Sequence, residues 1–397
     1  MFVRRASSSL LRANRVVFFS RSTKDVIPKQ KKEKTEPDSD PILESAEKIF
    51  DNAKRSLQNN HIIQSKKMYE EGIDLLSKSR EPTHQTSLIR AYNSFAETMR
   101  KIRNDSTDNQ QREYLSSQVL SIYKKARELL DEQDTTEQSI KEFVDFWNVQ
   151  TYFNLGSFYY VDLEDYDQAQ HNLAVCINSG TDVAADILAD PQHFSSIDLG
   201  LIMKTNMISR YMMAKCLLKS SLPLAAYDKF SDSIKSYNKL KNVIDLSIQD
   251  HKRNIQCMYH QGSIELELKN YNKALHHFKQ ALDFIVNATE FDAPAYSAIP
   301  LDANNIGQEL QDLLVGICLL HIACNDIKSA ELYAKMALHV VKNTNRPKSD
   351  VNHAIELCKK QENTTNNQQQ LQELKKFNKD YLYFLMDFVG VEQHDIK

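Results

Sequence analysis

Along residues 265–282, ELELKNYNKALHHFKQAL, small and apolar side chains return as Ala274, Phe278 and Ala281, the period of a helix with one packed face. Gly262 lies twelve residues before Ala274. Small residues at both places let two antiparallel helices approach closely, and the Phe278 ring fills the gap toward the next pair. The pattern recurs with Cys318 before Ala330, Ala334 and Ala337, and with Ala214 and Leu217 before Ala226, Phe230 and Ser233. In YFNLGSFYY, Tyr152, Leu155, Gly156 and Tyr159 keep the period, but Ala169, Leu173 and Cys176 follow one residue late. Ala53, Ser65, Tyr69 and Gly72 form a weaker copy. Residues 86–131 fit if a polar insertion near Asn104 to Gln111 separates two helices.

These helix pairs resemble the tetratricopeptide-repeat family, whose units carry W-x2-L-G-x2-Y on the first helix and A-x3-F-x2-A on the second. The resemblance covers residues 44–342. It implies an all-α fold, a tetratricopeptide-like α-α solenoid of about six irregular helix pairs with a C-terminal capping helix. The anchors Ser65, Val119, Ala169, Ala226, Ala274 and Ala330 are spaced 54, 50, 57, 48 and 56 residues apart, against roughly 34 in the family. Either the helices are longer than usual or ordered linkers separate the pairs.

The two ends follow different rules. Residues 1–24 contain no acid, and at about 100° per residue Arg4, Arg5, Arg12 and Arg15 share a sector opposite Phe2, Val3, Ala6, Leu10, Ala13 and Val17. Such a basic amphipathic helix is the signature of a mitochondrial presequence, expected over residues 1–25. The stretch PKQKKEKTEPDSDP has three prolines, eight charges and no large apolar side chain, so residues 26–43 are expected to be a disordered linker. Residues 343–397 are expected to cap the array: a short helix near Val351 to Cys358, the polar tract ENTTNNQQQ, then Leu371, Leu374, Tyr381, Leu385 and Phe388 at helical spacing. Peripheral membrane contact through YLYFLMDFVG is the alternative use of that last helix.

Composition narrows the function classes. Only 8 of 397 residues are glycine, too few for the nucleotide-binding turns and left-handed corners of an α/β enzyme. The net charge is −3, and because six basic residues precede the first acid, Asp25, the rest of the chain carries −9. An acidic body is poorly suited to phosphate backbones, so no nucleic acid is expected. Cys176, Cys216, Cys257, Cys318, Cys324 and Cys358 show no CxxC pairing and are expected to be reduced core thiols. The longest apolar run, Leu313 to Ala323, is too short to span a bilayer. No Gly-rich phosphate loop, GxSxG, HExxH or calcium-loop motif is present. Adjacent His276 and His277 diverge by about 100° on a helix and are expected at the surface, while His321 is expected as a core histidine. No catalytic residue, metal or cofactor is assigned, and the chain is not expected to be an enzyme.

The resemblance implies a groove lined by first helices. The matching positions are Gln150, Phe153, Ser157 and Tyr160; then Tyr211, Lys215 and Lys219; then Gln256, Tyr259 and Ser263. Aromatics interleaved with amides and hydroxyls suit a peptide. The Lys and Asn with which chaperone-binding members clamp a carboxylate are replaced here by Phe50/Lys54, Phe153/Ser157, Tyr211/Lys215 and Tyr259/Ser263. The implied function is a mitochondrial scaffold, in the matrix or at the inner membrane, that binds protein partners and aids assembly or stability of a complex. Its general layout is similar to a tetratricopeptide assembly factor of respiratory complex III. An organellar RNA-binding helical-repeat protein is the rival, and a noncatalytic subunit of a larger enzyme is the third reading. The oligomeric state is not legible.

Overall fold

The computed structural model describes residues 40–79, 81–133, 138–190, 198–290, 306–344, 349–360 and 368–389. The expected presequence and linker lie outside the described residues, apart from Asp40 to Leu43. Every described element is helical, and the chain divides into two compact units between Cys216 and Leu217.

The first unit contains α1 (Pro41–Gln58), α2 (Ile62–Leu76), α3 (Pro82–Asp105), α4 (Asn109–Asp131), α5 (Gln138–Phe158), a π turn (Tyr159–Leu163), α6 (Tyr166–Ala189) and α7 (Leu199–Lys219), whose last residues fall in the second unit. Side-chain carboxylates start four of these helices, with Asp198 accepting from the Leu201 amide at the head of α7. Asp40 accepts from the amides of Ile42 and Leu43, Asp108 from Gln110, and Asp165 from Gln168. The pairs α1/α2, α3/α4 and α5/α6 pack antiparallel. Their anchors Ala53, Ser65, Val119 and Ala169 are fully buried.

The π turn accounts for the one-residue lag after Gly156. The Glu164 amide reaches back five residues to the Tyr159 carbonyl, which fits one more residue into the turn than an α-helix holds. Ala169 then regains the packed face. The stretched anchor spacing has two sources: α3 to α6 run 24, 23, 21 and 24 residues, so two of them fill most of a repeat, whereas 16 residues separate the shorter α10 from α11.

The second unit contains α8 (Pro223–Leu240), α9 (Ile248–Glu267), α10 (Tyr271–Glu290), α11 (Gly307–Ala323), α12 (Ile327–Thr344), α13 (Ser349–Lys360) and α14 (Gln368–Val389). A capping box between Ser247 and Asp250 starts α9. Phe278 of α10 is fully buried; a Cβ on Gly262 of α9 would lie 2.5 Å from its ring, and one on Gly316 of α11 would lie 2.9 Å away. The ring is therefore wedged between the first helix of its own pair and that of the next. The apolar run in α11 is buried almost throughout, which is why that helix shows no amphipathic stripe. Among the described residues, no helix is long and apolar enough to cross a membrane. Leu374, Phe377, Tyr381 and Leu385 of α14 are buried where the helix packs on α10 and α12. Tyr381 donates a hydrogen bond to Asp283.

Glycine scarcity has a structural counterpart. The turns closing five helix pairs place Asn60, Glu164, Ser221, Lys269 and Asn325 at φ between 54° and 63°, the left-handed region that costs a non-glycine residue about 1 kcal/mol. Gly72, Gly156, Gly180, Gly262 and Gly316 serve close helix approach instead, each facing a side chain of another helix that an added Cβ would meet within 3.0 Å.

Candidate functional site

Neighbouring first helices carry polar contacts on top of their apolar packing, and second helices carry fewer, such as Tyr227 of α8 against His277 of α10. In the first unit, α1 faces α3 through Glu47, which accepts from Ser87 and Arg90. At the start of the same contact, His84 Nε2 lies 2.5 Å from Asp40 Oδ2. Between α3 and α5, Asn93 Nδ2 donates to Thr151 Oγ1 at 3.0 Å, and Asn154 Nδ2 donates to Asn93 Oδ1 at 3.3 Å. Between α5 and α7, Gln150 Nε2 donates to Thr205 Oγ1 at 3.3 Å. In the second unit, Gln256 of α9 donates to Glu309 of α11 at 2.8 Å, with Lys252 3.9 Å from the same carboxylate. Asn93, Thr151 and Asn154 are buried. Their mutual bonding offsets the cost of removing them from water and fixes the register of adjacent helices.

The strongest part of this polar seam surrounds the π turn. Arg100 Nε donates to Asp162 Oδ2 at 2.6 Å, and Arg103 donates to Asp162 Oδ1 at 3.2 Å and to its carbonyl at 2.6 Å. Both guanidinium carbons lie 5.7 Å from the Phe158 ring centroid. The Asp162 side chain is 3% exposed, so one buried carboxylate offsets two guanidinium groups. Burial pushes the Glu97 carboxyl up, with Arg100 opposing, and Tyr123 donates its hydroxyl to Glu97.

The expected groove residues divide by accessibility. Gln150, Lys219, Tyr259 and Ser263 are half-buried, while Phe153, Ser157, Tyr160, Tyr211, Lys215 and Gln256 are buried. Phe153 lies on α5, and Tyr211 and Lys215 lie on α7. Ser157 accepts from Arg100 at 3.4 Å. Tyr160 is part of the π turn, and burial raises its phenol well above the ordinary range. Tyr259 stacks on Phe278 with centroids 6.3 Å apart, and Ser263 Oγ donates to the Tyr259 carbonyl. Sequence reasoning did not single out Asn93, Asn154, Arg100 or Asp162. A polar side chain on a buried helix face has the same spacing as one in solvent.

Other titratable groups have packing roles. His277 is buried, contrary to its expected surface position, because its Nε2 meets the Tyr227 hydroxyl at 2.9 Å. Burial lowers its pKa. His276 is exposed, as expected. His321 is fully buried, with Nδ1 3.1 Å from Asp326 Oδ2 and its ring stacked on Tyr333. Among the described residues, Asp40, Glu81 and His84 bring three potential ligand atoms within 4.8 Å. Both carboxylates sit at helix N-termini, where the helix dipole opposes a cation, and Asp40 already holds two amides and His84. That geometry is a helix cap. All six cysteines are buried and free.

A tetratricopeptide repeat model matches residues 255–284, the α9/α10 pair holding Gly262, Ala274 and Phe278. No curated protein matches the chain in sequence. Solved structures of similar helical layout include BtubC (BKLC) from P. vanneervenii, with a TM-score of 0.41 and 12% identity over 77% of this chain and 92% of that one. The apo form of RapI gives 0.43 and 11% identity over 79% and 97%. Nro1, described as a hypoxic regulator of sterol synthesis and a nuclear import adaptor, gives 0.42 and 11% identity over 79% and 92%. Likeness of this degree carries nothing about ligand or activity.

Proposed function

We propose that the chain is a mitochondrial protein-binding scaffold that aids assembly or stability of a protein complex, with a respiratory-chain complex as the most specific candidate and the matrix or inner-membrane face as its location. The basic amphipathic pattern of residues 1–24 supports the address. The tetratricopeptide match at residues 255–284 supports a helical array built to hold protein. The observation that carries the reading is the polar seam along the first helices of each unit. Hydrocarbon would hold these helices together equally well. Asn154 gives one amide hydrogen to Asn93 and, among the described residues, keeps its carbonyl oxygen for another donor. Half-buried Gln150 lies one turn away on α5. Paired amides of this kind match the alternating donors and acceptors of a peptide backbone, so the partner is an extended or helical segment laid along first-helix side chains.

The test is recovery of partners from mitochondria with tagged wild-type chain and with Asn154→Ala/Gln150→Ala. Loss of two hydrogen bonds at about 1 kcal/mol each predicts a partner bound roughly tenfold or more weakly, with helical content unchanged by circular dichroism. Full retention of every partner by the double variant would remove this face from the proposal.

A further inference from the structure

We propose that Cys318 of α11 and Cys358 of α13 are a dithiol that closes into a disulfide, a modification that fastens α13 to α11. Their sulfurs lie 4.0 Å apart in a buried contact. A disulfide bond is about 2.05 Å long, so closure brings the sulfurs together by about 2 Å. Cys318 occupies the slot that holds Gly262 and Ala214 in the preceding pairs, and it puts a thiol where those residues put a hydrogen or a methyl. Cys176 is different: its sulfur meets the hydroxyl of Ser209 at 3.3 Å, a group with which it cannot bridge.

The helix that carries Cys358 is weakly held. Its 12 residues bury Val351, Ala354 and Cys358 along one face, far less hydrocarbon than α11 or α12 contributes. An element with so small a buried face opens more often than the rest of its unit. Burial raises the thiols of both Cys318 and Cys358, so the docked pair is inert and exchange takes place while α13 is open. The oxidant is a small disulfide such as glutathione disulfide. The Cys358 thiolate attacks one of its sulfurs, releasing one glutathione thiolate and leaving a mixed disulfide. The Cys318 thiolate then attacks the Cys358 sulfur and releases the second glutathione. Two protons leave the protein thiols, and one disulfide is exchanged for another. The product closes a loop of about 40 residues, which lowers the frequency of α13 opening by roughly a hundredfold or more.

The experiment equilibrates the full folded chain with glutathione disulfide, quenches with an alkylating agent and maps peptides without reduction. The expected result is one linked peptide pair containing Cys318 and Cys358, with α13 amides exchanging roughly a hundredfold more slowly. Cys358→Ser abolishes the link, whereas Cys324→Ser leaves it intact. Recovery of Cys318 and Cys358 as free thiols or as separate glutathione adducts would overturn the proposal. So would a linked pair that leaves α13 exchange unchanged. The wild-type map decides the matter even if a serine variant fails to fold.

Discussion

Replacing Gly262 by alanine sets two physical effects of opposite sign against each other. In a helix interior alanine is favoured over glycine by about 0.5–1 kcal/mol. Against this, the new methyl would lie 2.5 Å and 2.7 Å from Cε1 and Cδ1 of Phe278, closer than carbon atoms approach. The ring has little room to move, because a Cβ on Gly316 of α11 would also lie only 2.9 Å from its Cζ. Overpacking of this kind costs about 1–3 kcal/mol, so Gly262→Ala is expected to be a net loss of about 1–2 kcal/mol. Phe278→Ala alone should cost about 3–5 kcal/mol by leaving a cavity. In the Phe278→Ala background the clash is gone, and Gly262→Ala should then stabilise by the propensity gain. The two changes are therefore coupled by about 2–3 kcal/mol. Hydrogen exchange of α9 and α10 amides reads this locally, which avoids assuming that both units unfold together. Slower exchange in Gly262→Ala alone, or additive effects in the double variant, would refute the wedge argument.

Three further outcomes follow from the same structure. Asp162→Ala leaves Arg100 and Arg103 without their shared buried carboxylate and should cost about 3–5 kcal/mol, seen as faster exchange in α3 and α5; a change below about 1 kcal/mol would contradict the ion-pair reading. The Asp326 carboxyl is held below its ordinary value, first by His321 and then against the opposing effect of burial. A depressed carboxylate stabilises above its unfolded pKa near 4 and loses that contribution as pH falls through its lower folded value. Asp326→Asn should therefore flatten the acid limb of α11/α12 exchange below about pH 4, and an unchanged limb would refute it. Finally, converting Arg4, Arg5, Arg12 and Arg15 to glutamine should abolish uptake by isolated mitochondria, which protease protection measures; undiminished uptake would remove the presequence assignment.

What could be read from the sequence depended on how local its cause was. Ala274 and Phe278 are four residues apart on one helix, so their contact with Gly262 is visible as spacing. The π turn is visible only as the late arrival of Ala169. Nothing in YYVDL announces a five-residue turn, since its stability comes from Asp162 meeting Arg100 and Arg103, some sixty residues earlier. The stretched spacing comes from long helices in α3 to α6 and from the 16 residues between α10 and α11, a division that needed the actual helix ends. The expected groove residues came from positions counted along first helices. Counting gives a face but not depth, and depth separates half-buried Gln150 and Tyr259 from buried Phe153, Tyr211 and Gln256. His277 shows the same limit: one residue of offset from exposed His276 turns it toward Tyr227. Cys318 and Cys358 are too far apart in sequence for their contact to appear in any spacing rule.

Site-specific photo-crosslinking in mitochondria tests the central claim most directly. A crosslinker at Gln150 or Ser263 sits on the first-helix faces, and one at exposed Lys124 of α4 or Lys235 of α8 sits on second helices. The account predicts a reproducible protein adduct at Gln150 or Ser263 and none at Lys124 or Lys235. Adducts confined to the second-helix positions, or crosslinks to RNA in place of protein, would contradict it.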